Sequence, residues 1–132
     1  MGYTILRADP SDWAEGDGSG GGLEVWVDEQ DQWVPVRIPP EHAASALIVN
    51  AGDLFQRWTN DVWKSALHRV TCPAPGASAW QHDRFSLVFF SGPMDDVCVT
   101  TIPGVSGASP VKYSPVIARD YLLSKIAPTA IR

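Results

Sequence analysis

The chain has 132 residues, of which 45% are hydrophobic and 19% are charged, and its formal net charge is −5. The length suits a single domain, and the apolar fraction excludes a wholly disordered chain. The acidic balance argues against a nucleic-acid partner or an anionic membrane, because their phosphates would repel the chain. With no apolar run of the roughly 18 residues that span a membrane and no secretory signal pattern, we expect a cytoplasmic protein.

Seven short segments rich in aliphatic, β-branched and aromatic residues predict strands, since turn residues separate them. They are Tyr3–Leu6, Leu23–Val27, Gln32–Ile38, Ser45–Asn50, Leu67–Thr71, Phe85–Phe90 and Val97–Ile102. In Phe85–Phe90 both alternating sets contain large apolar residues, so we expect both faces of this strand to be covered. Short strands at even spacing favour a β-sandwich or a double-sheet jelly roll.

Three other stretches depart from the strand pattern. The glycine-rich stretch Ala14–Gly22 predicts a loop, and Asp53–Trp58 predicts a single helical turn. Ser114 can cap a helix that has Pro115 at its first position, so we predict a helix over Pro115–Lys125.

The cysteines and tryptophans are expected inside the protein. Two cysteines are too few for a disulfide scaffold, and both Cys72 and Cys98 adjoin predicted strands, so we expect two buried thiols. Aromatic rings dominate protein cores, and four of the tryptophans are expected to pack there. These four are Trp26, Trp33, Trp58 and Trp63.

Three residues are candidates for chemistry. His68 lies in an apolar, strand-like segment, where an imidazole is either a metal ligand or a core histidine that bonds the backbone. Alternation along a strand puts Arg84 and Ser86 on one face, and a guanidinium beside a hydroxyl can hold a carboxylate. Alternatively, Arg84 pairs with an acid of the chain itself, such as Asp83 or Asp95.

Six motifs in this order resemble the C-terminal half of the catalytic domain of 2-oxoglutarate- and Fe(II)-dependent dioxygenases. The resemblance is greatest to the isopenicillin-N-synthase-like superfamily. The motifs are Gly21–Gly22–Leu23–Glu24–Val25, Val49–Asn50–Ala51–Gly52–Asp53, Thr59–Asn60, Lys64–Ser65, His68–Arg69–Val70 and Arg84–Phe85–Ser86.

The resemblance implies a fold, two cofactors and a partial site. The fold is mostly β, a double-stranded β-helix (jelly roll) that is incomplete at its N-terminus and has one C-terminal helix. Residues 1–126 would form this partial domain, and residues 127–132 a tail. His68 would be the last ligand of a site in which two histidines and one carboxylate bind Fe(II). Arg84 and Ser86 would bind the far carboxylate of the cosubstrate 2-oxoglutarate.

The resemblance also implies a reaction on a small organic molecule, by hydroxylation, desaturation or ring closure. However, no histidine of the chain is followed two places later by Asp or Glu, whereas the family's first two ligands form such a pair. By resemblance that pair would fall just before Met1. We therefore assign no catalytic residue, and we expect the isolated chain to be inactive and to bind Fe(II) weakly.

Two other functions stay open. The chain could be a non-catalytic jelly-roll module that binds a dicarboxylate at Arg84 and Ser86, or an interaction domain with His68 in its core. In any of these cases, a sheet that lacks strands exposes edges and apolar faces. We therefore expect self-association through exposed strands.

Overall fold

The computed structural model describes residues 3–8, 21–42, 45–76, 85–105, 107 and 109–126. Within these ranges the chain forms eight strands and two α-helices, together with single 3-10 turns at Asp28–Gln30 and Pro40–His42. The strands are β1 (Tyr3–Ala8), β2 (Gly22–Val27), β3 (Gln32–Pro35), β4 (Ile48–Ala51), β5 (His68–Thr71), β6 (Ser86–Ser91), β7 (Cys98–Val99) and β8 (Val116–Ile117). The helices are α1 (Asp53–Trp58) and α2 (Ala118–Ile126).

The described strands form three small sheets, which confirms the expectation of a mostly β chain with a C-terminal helix. One sheet has the order β3–β2–β5, with antiparallel neighbours, and another has the order β4–β1–β6. The third is the antiparallel pair β7–β8. No helix in the described ranges is both long enough and apolar enough to cross a membrane. The predicted glycine-rich loop lies outside the described residues except for Gly21 and Gly22.

The chain divides into two compact units. We call Met1–Ile5, Val49–Ser65 and Phe89–Arg132 the helical unit, because both α-helices lie in it. We call Leu6–Ile48 and Ala66–Val88 the sheet unit, because it contains the whole of the β3–β2–β5 sheet.

The helical unit has a small apolar core. Leu54 of α1, Val99 of β7 and Ala118 of α2 are 2%, 1% and 4% exposed, respectively. Four half-buried side chains pack around them: Trp58, Val97, Val116 and Tyr121. The predicted helical turn over Asp53–Trp58 is confirmed as α1, and it carries an acid in its first turn, where the helix dipole favours negative charge.

The end of α1 is held by side-chain hydrogen bonds. The Thr59 hydroxyl donates to the Phe55 carbonyl oxygen at 2.9 Å. Asn60 follows with a left-handed φ of 51° and is 4% exposed. Its Nδ2 donates to the Pro110 carbonyl oxygen at 3.0 Å, and its Oδ1 accepts the Lys112 amide at 2.8 Å. The turn after α1 is therefore fastened to the segment before β8.

The predicted start of the C-terminal helix is wrong. The helix begins at Ala118 and not at Pro115, because Val116 and Ile117 pair with β7 as a strand. The carbonyl oxygen of Ser114 accepts a hydrogen bond from Arg57 Nη2 at 2.7 Å. Tertiary contacts therefore override the local capping signal.

Three expectations of burial are also wrong. Both faces of β6 lie open, since Leu87 is 74% exposed and Phe90 is 57% exposed. Trp63 is 62% exposed, while the other three tryptophans that were expected to pack are half-buried. Cys72 and Cys98 are exposed free thiols. Periodicity shows which residues are apolar, but it does not show whether another segment covers them.

Candidate metal-ligand and carboxylate-binding site

His68 is the first residue of β5, in the sheet unit. Strand β5 pairs antiparallel with β2, and this register sets His68 opposite Val25. One residue earlier, the carbonyl oxygen of Leu67 accepts the amide of Trp26 at 2.8 Å. The backbone on both sides of His68 is therefore fixed against β2, so the imidazole projects from an anchored position.

The Gly-Gly motif explains how β2 comes so close to β5. Gly21 has a left-handed φ of 70°, which strongly favours glycine. A Cβ at this position would lie 2.5 Å from the carbonyl oxygen of Thr71, the last residue of β5. A side chain there would force the two strand ends apart, so the glycine permits the register that holds His68.

The imidazole of His68 has a defined orientation. Its Nδ1 lies 2.9 Å from the carbonyl oxygen of Ala66. Because a carbonyl oxygen only accepts, Nδ1 donates, and in the neutral form of the ring the lone pair is on Nε2. The residue is exposed. A histidine whose second nitrogen is tied to the backbone is oriented in the way that metal-ligating histidines are.

The face that carries His68 is apolar. Residues directly opposite in an antiparallel sheet share a face, so Val34, Val25 and His68 form one row across β3, β2 and β5. Leu23 and Val70 form the next row, and Val70 is 67% exposed. The imidazole is thus presented among aliphatic side chains.

The carboxylate-binding pair is only partly described. Ser86 is the first residue of β6 and is exposed. Arg84 lies outside the described residues, as does Asp83, so its contacts and its alternative pairing stay predictions. His42 is exposed in a 3-10 turn.

A charged network in the helical unit was not anticipated from the sequence. Asp61 accepts hydrogen bonds from Lys112 Nζ, the Tyr113 hydroxyl and Gln56 Nε2, and these lower the pKa of its carboxyl from 3.8 to about 2. The bond to Asp61 in turn raises the pKa of Tyr113 and that of Lys112. These hydrogen bonds join the turn after α1 to Lys112 and Tyr113, in the segment before β8. The sequence shows only a polar turn at this point.

The described residues do not make a complete iron site. Among them, no three histidine, cysteine or acidic side chains lie close enough together to hold a metal ion. His68 offers one imidazole nitrogen, while a two-histidine, one-carboxylate site also needs a second imidazole and an anionic oxygen. One imidazole alone does not fit Fe(II).

Comparison with known proteins decides the family. The model of the 2OG-Fe(II) oxygenase superfamily matches residues 9–93, a span that includes all six motifs from Gly21 to Ser86. The chain belongs to this superfamily.

Two curated proteins are similar to the chain. Proline hydroxylase buaE of Petromyces alliaceus is 42% identical over 91 residues, which cover 67% of this chain and 27% of that protein. The 2-oxoglutarate-dependent dioxygenase lolO2 of Epichloe uncinata is 38% identical over 109 residues, which cover 77% of this chain and 28% of that protein. The chain thus spans less than a third of either relative.

A solved structure extends the likeness to the fold. The crystal structure of a 2OG-Fe(II) oxygenase family protein from Caulobacter crescentus matches with a TM-score of 0.73 and 28% identity. The match covers 97% of this chain and 37% of that protein. The chain therefore has the fold of about one third of a 2OG-Fe(II) oxygenase.

Proposed function

We propose that this chain forms part of a 2-oxoglutarate- and Fe(II)-dependent dioxygenase domain, a double-stranded β-helix that oxidises a small organic molecule. In this proposal His68 is a protein ligand of the iron, and Arg84 with Ser86 binds the far carboxylate of 2-oxoglutarate. The whole enzyme would also need a His-x-Asp or His-x-Glu pair, which these 132 residues do not contain.

The observation that carries the proposal is the setting of His68. Its Nδ1 is committed to the Ala66 carbonyl oxygen, so Nε2 is the nitrogen left for a metal. The register with β2 fixes the strand that bears it. A core histidine would be buried and bonded on both sides, whereas His68 is exposed.

A titration with Mn(II), a paramagnetic stand-in for Fe(II), tests the role of His68. Imidazole signals of ¹⁵N-histidine-labelled chain report which ring the metal approaches. We expect His68 to broaden before His42 and His82, at millimolar metal, because one imidazole binds weakly. His68→Gln should abolish this preference and His42→Gln should not. Equal broadening of all three rings would refute the assignment, and a stoichiometric micromolar site would show that the chain holds more ligands than His68.

A non-catalytic module is the second candidate, because Ser86 is exposed at the start of β6, where its hydroxyl can contact a carboxylate without a metal. Isothermal titration of metal-free chain with 2-oxoglutarate tests it. Millimolar binding that Ser86→Ala or Arg84→Gln weakens would support the carboxylate site in either function. An in-frame His-x-Asp or His-x-Glu in the coding sequence preceding residue 1 would favour the dioxygenase, and its absence would favour the module.

We further propose that copies of the isolated chain self-associate through β6. The strand exposes Leu87, Phe89 and Phe90 and carries no charge from Ser86 to Ser91. Uncharged, apolar strands pair readily with other strands. Sedimentation velocity should show species larger than a monomer, and Phe89→Lys should reduce them. A monodisperse monomer at high concentration would contradict this expectation.

A further inference from the structure

The two faces of the β3–β2–β5 sheet differ in chemistry. The register that places His68 with Val25 places the next residue, Arg69, with Glu24 on the opposite face. Trp26 and Trp33 are paired directly on that same opposite face. An arginine, an acid and two indoles therefore stand behind the apolar face that carries the imidazole.

The Arg69 side chain reaches across all three strands. Its Nε donates to Glu24 Oε2 on β2 at 2.7 Å. Its Cζ lies 4.2 Å from the centre of the Trp33 ring on β3, in a cation–π contact. Trp33 is held in turn by an edge-on contact with Trp26, at 5.5 Å between ring centres and 68° between ring planes. The Arg69 side chain thus connects β5 to both β2 and β3.

The ion pair alone is a weak explanation for this arrangement. The Arg69 side chain is 47% exposed and that of Glu24 is 21% exposed, and ion pairs in such settings contribute little stability. What the guanidinium adds is direction, because a carboxylate binds its Nε and an indole ring lies against its Cζ. The point that it fixes is the backbone immediately after His68.

We propose that Arg69 is the positioning residue for His68. By fastening β5 from behind, it keeps the His68 ring within reach of the Ala66 carbonyl oxygen, so that Nε2 stays the free nitrogen. The relevance to metal binding rests on the proposed function, but the positioning itself does not. The role of Arg69 is therefore geometric, since it sets the tautomer of a histidine on the other face of the sheet.

The tautomer of His68 is the direct readout. At pH 8, where an ordinary histidine is neutral, the ¹⁵N shifts of its ring report the populations of the Nδ1–H and Nε2–H forms. In the unaltered chain we expect the Nδ1–H form to predominate. Arg69→Gln should lower the ratio of Nδ1–H to Nε2–H several-fold, while the amide signals of β2 and β3 stay dispersed. Arg119→Gln, at another exposed arginine that is paired to Asp120, is the matched control and should change nothing.

Three further variants keep the test decisive if Arg69→Gln unfolds the sheet. Arg69→Lys retains the charge without the planar fork, and Trp33→Leu removes the ring under the guanidinium. Each should lower the ratio of Nδ1–H to Nε2–H, but by less than Arg69→Gln does. Trp33→Phe, which keeps an aromatic ring, should give a ratio close to that of the unaltered chain. An unchanged ratio in folded Arg69→Lys and Trp33→Leu would overturn the proposal. Because this measurement uses no metal, failure here is distinct from failure of the Mn(II) titration, which bears on the proposed function.

Discussion

The two units place their side chains very differently with respect to solvent. Every buried residue of the described ranges lies in the helical unit: Leu54, Thr59, Asn60, Val99 and Ala118. The sheet unit holds His68 and Ser86 and has none among its described residues. Packing and candidate chemistry are therefore carried by separate parts of this chain. Substitutions that disturb folding most should fall in the helical unit, and substitutions that change ligand binding should fall in the sheet unit.

The largest expected effect is that of Leu54→Ala. Leu54 is 2% exposed at the centre of the small core, and removing a buried leucine typically costs about 3 kcal/mol. The matched control is Leu67→Ala in the sheet unit, where the leucine is 63% exposed and the expected change is within about 0.5 kcal/mol. Urea unfolding measures both. Equal losses of unfolding free energy in the two variants would contradict the view that packing is concentrated in the helical unit.

The next effect is that of Asn60→Ala. This substitution leaves the Pro110 carbonyl oxygen and the Lys112 amide without their side-chain partner, which should cost about 2 kcal/mol. Asn60→Asp keeps an acceptor for Lys112 but sets a buried carboxylate oxygen against the Pro110 carbonyl oxygen, so its loss should be at least as large. If Asn60→Asp unfolds at a higher urea concentration than Asn60→Ala, the bond to Pro110 contributes less stability than the bond to Lys112.

A pH-dependent effect is expected from Asp61: its pKa difference corresponds to about 2.4 kcal/mol, which solvent screening at this half-buried carboxyl reduces to about 1 kcal/mol. Its pKa is about 2 in the folded chain against an ordinary 3.8. Because the folded value is the lower one, the stabilisation is complete above about pH 4 and disappears as the pH falls through about 2. Asp61→Asn should flatten this part of the stability profile, measured by urea unfolding at each pH. Asp96→Asn, at an exposed acid of the same unit, should leave the profile unchanged.

The smallest effect is expected at the Lys125–Asp53 ion pair. The two groups are 3.5 Å apart, and their side chains are 56% and 45% exposed, so Lys125→Gln should cost less than about 0.5 kcal/mol. Lys112→Gln breaks a 2.7 Å bond to Asp61 and should cost more. Thermal melts at low and high salt compare the two pairs. A larger loss of stability for Lys125→Gln than for Lys112→Gln would show that side-chain exposure does not predict which ion pair stabilises the chain more.

Local patterns predicted the parts of the fold that local interactions determine. The helical turn of α1 is present as predicted, and so is a strand at His68. Strand β7 lies within the predicted strand Val97–Ile102, but β8 was not predicted, because Val116 becomes a strand residue only when Val99 lies beside it. The burial of β6 was predicted wrongly, because an apolar pattern does not supply the segment that covers it.

For the candidate site, the sequence led to the prediction of His68, Arg84 and Ser86, and this stays a prediction; it did not indicate how the histidine is anchored. The resemblance named His68, and the structure adds the Ala66 carbonyl oxygen that orients its ring. Arg69 was passed over, since its contacts with Glu24 and Trp33 depend on a strand register. Residues far apart in sequence gave no signal for this contact.

The close approach at Gly21 limits which sequences this fold accepts. Gly21 has both a left-handed φ and backbone atoms where a Cβ would stand, whereas Gly76 has a φ of 83° and open space around it. In a saturation library, position 76 should therefore admit asparagine and aspartate, which tolerate that backbone. Position 21 should admit glycine alone. Natural sequences should therefore vary at position 76 and not at position 21, although the φ angles of the two glycines are similar.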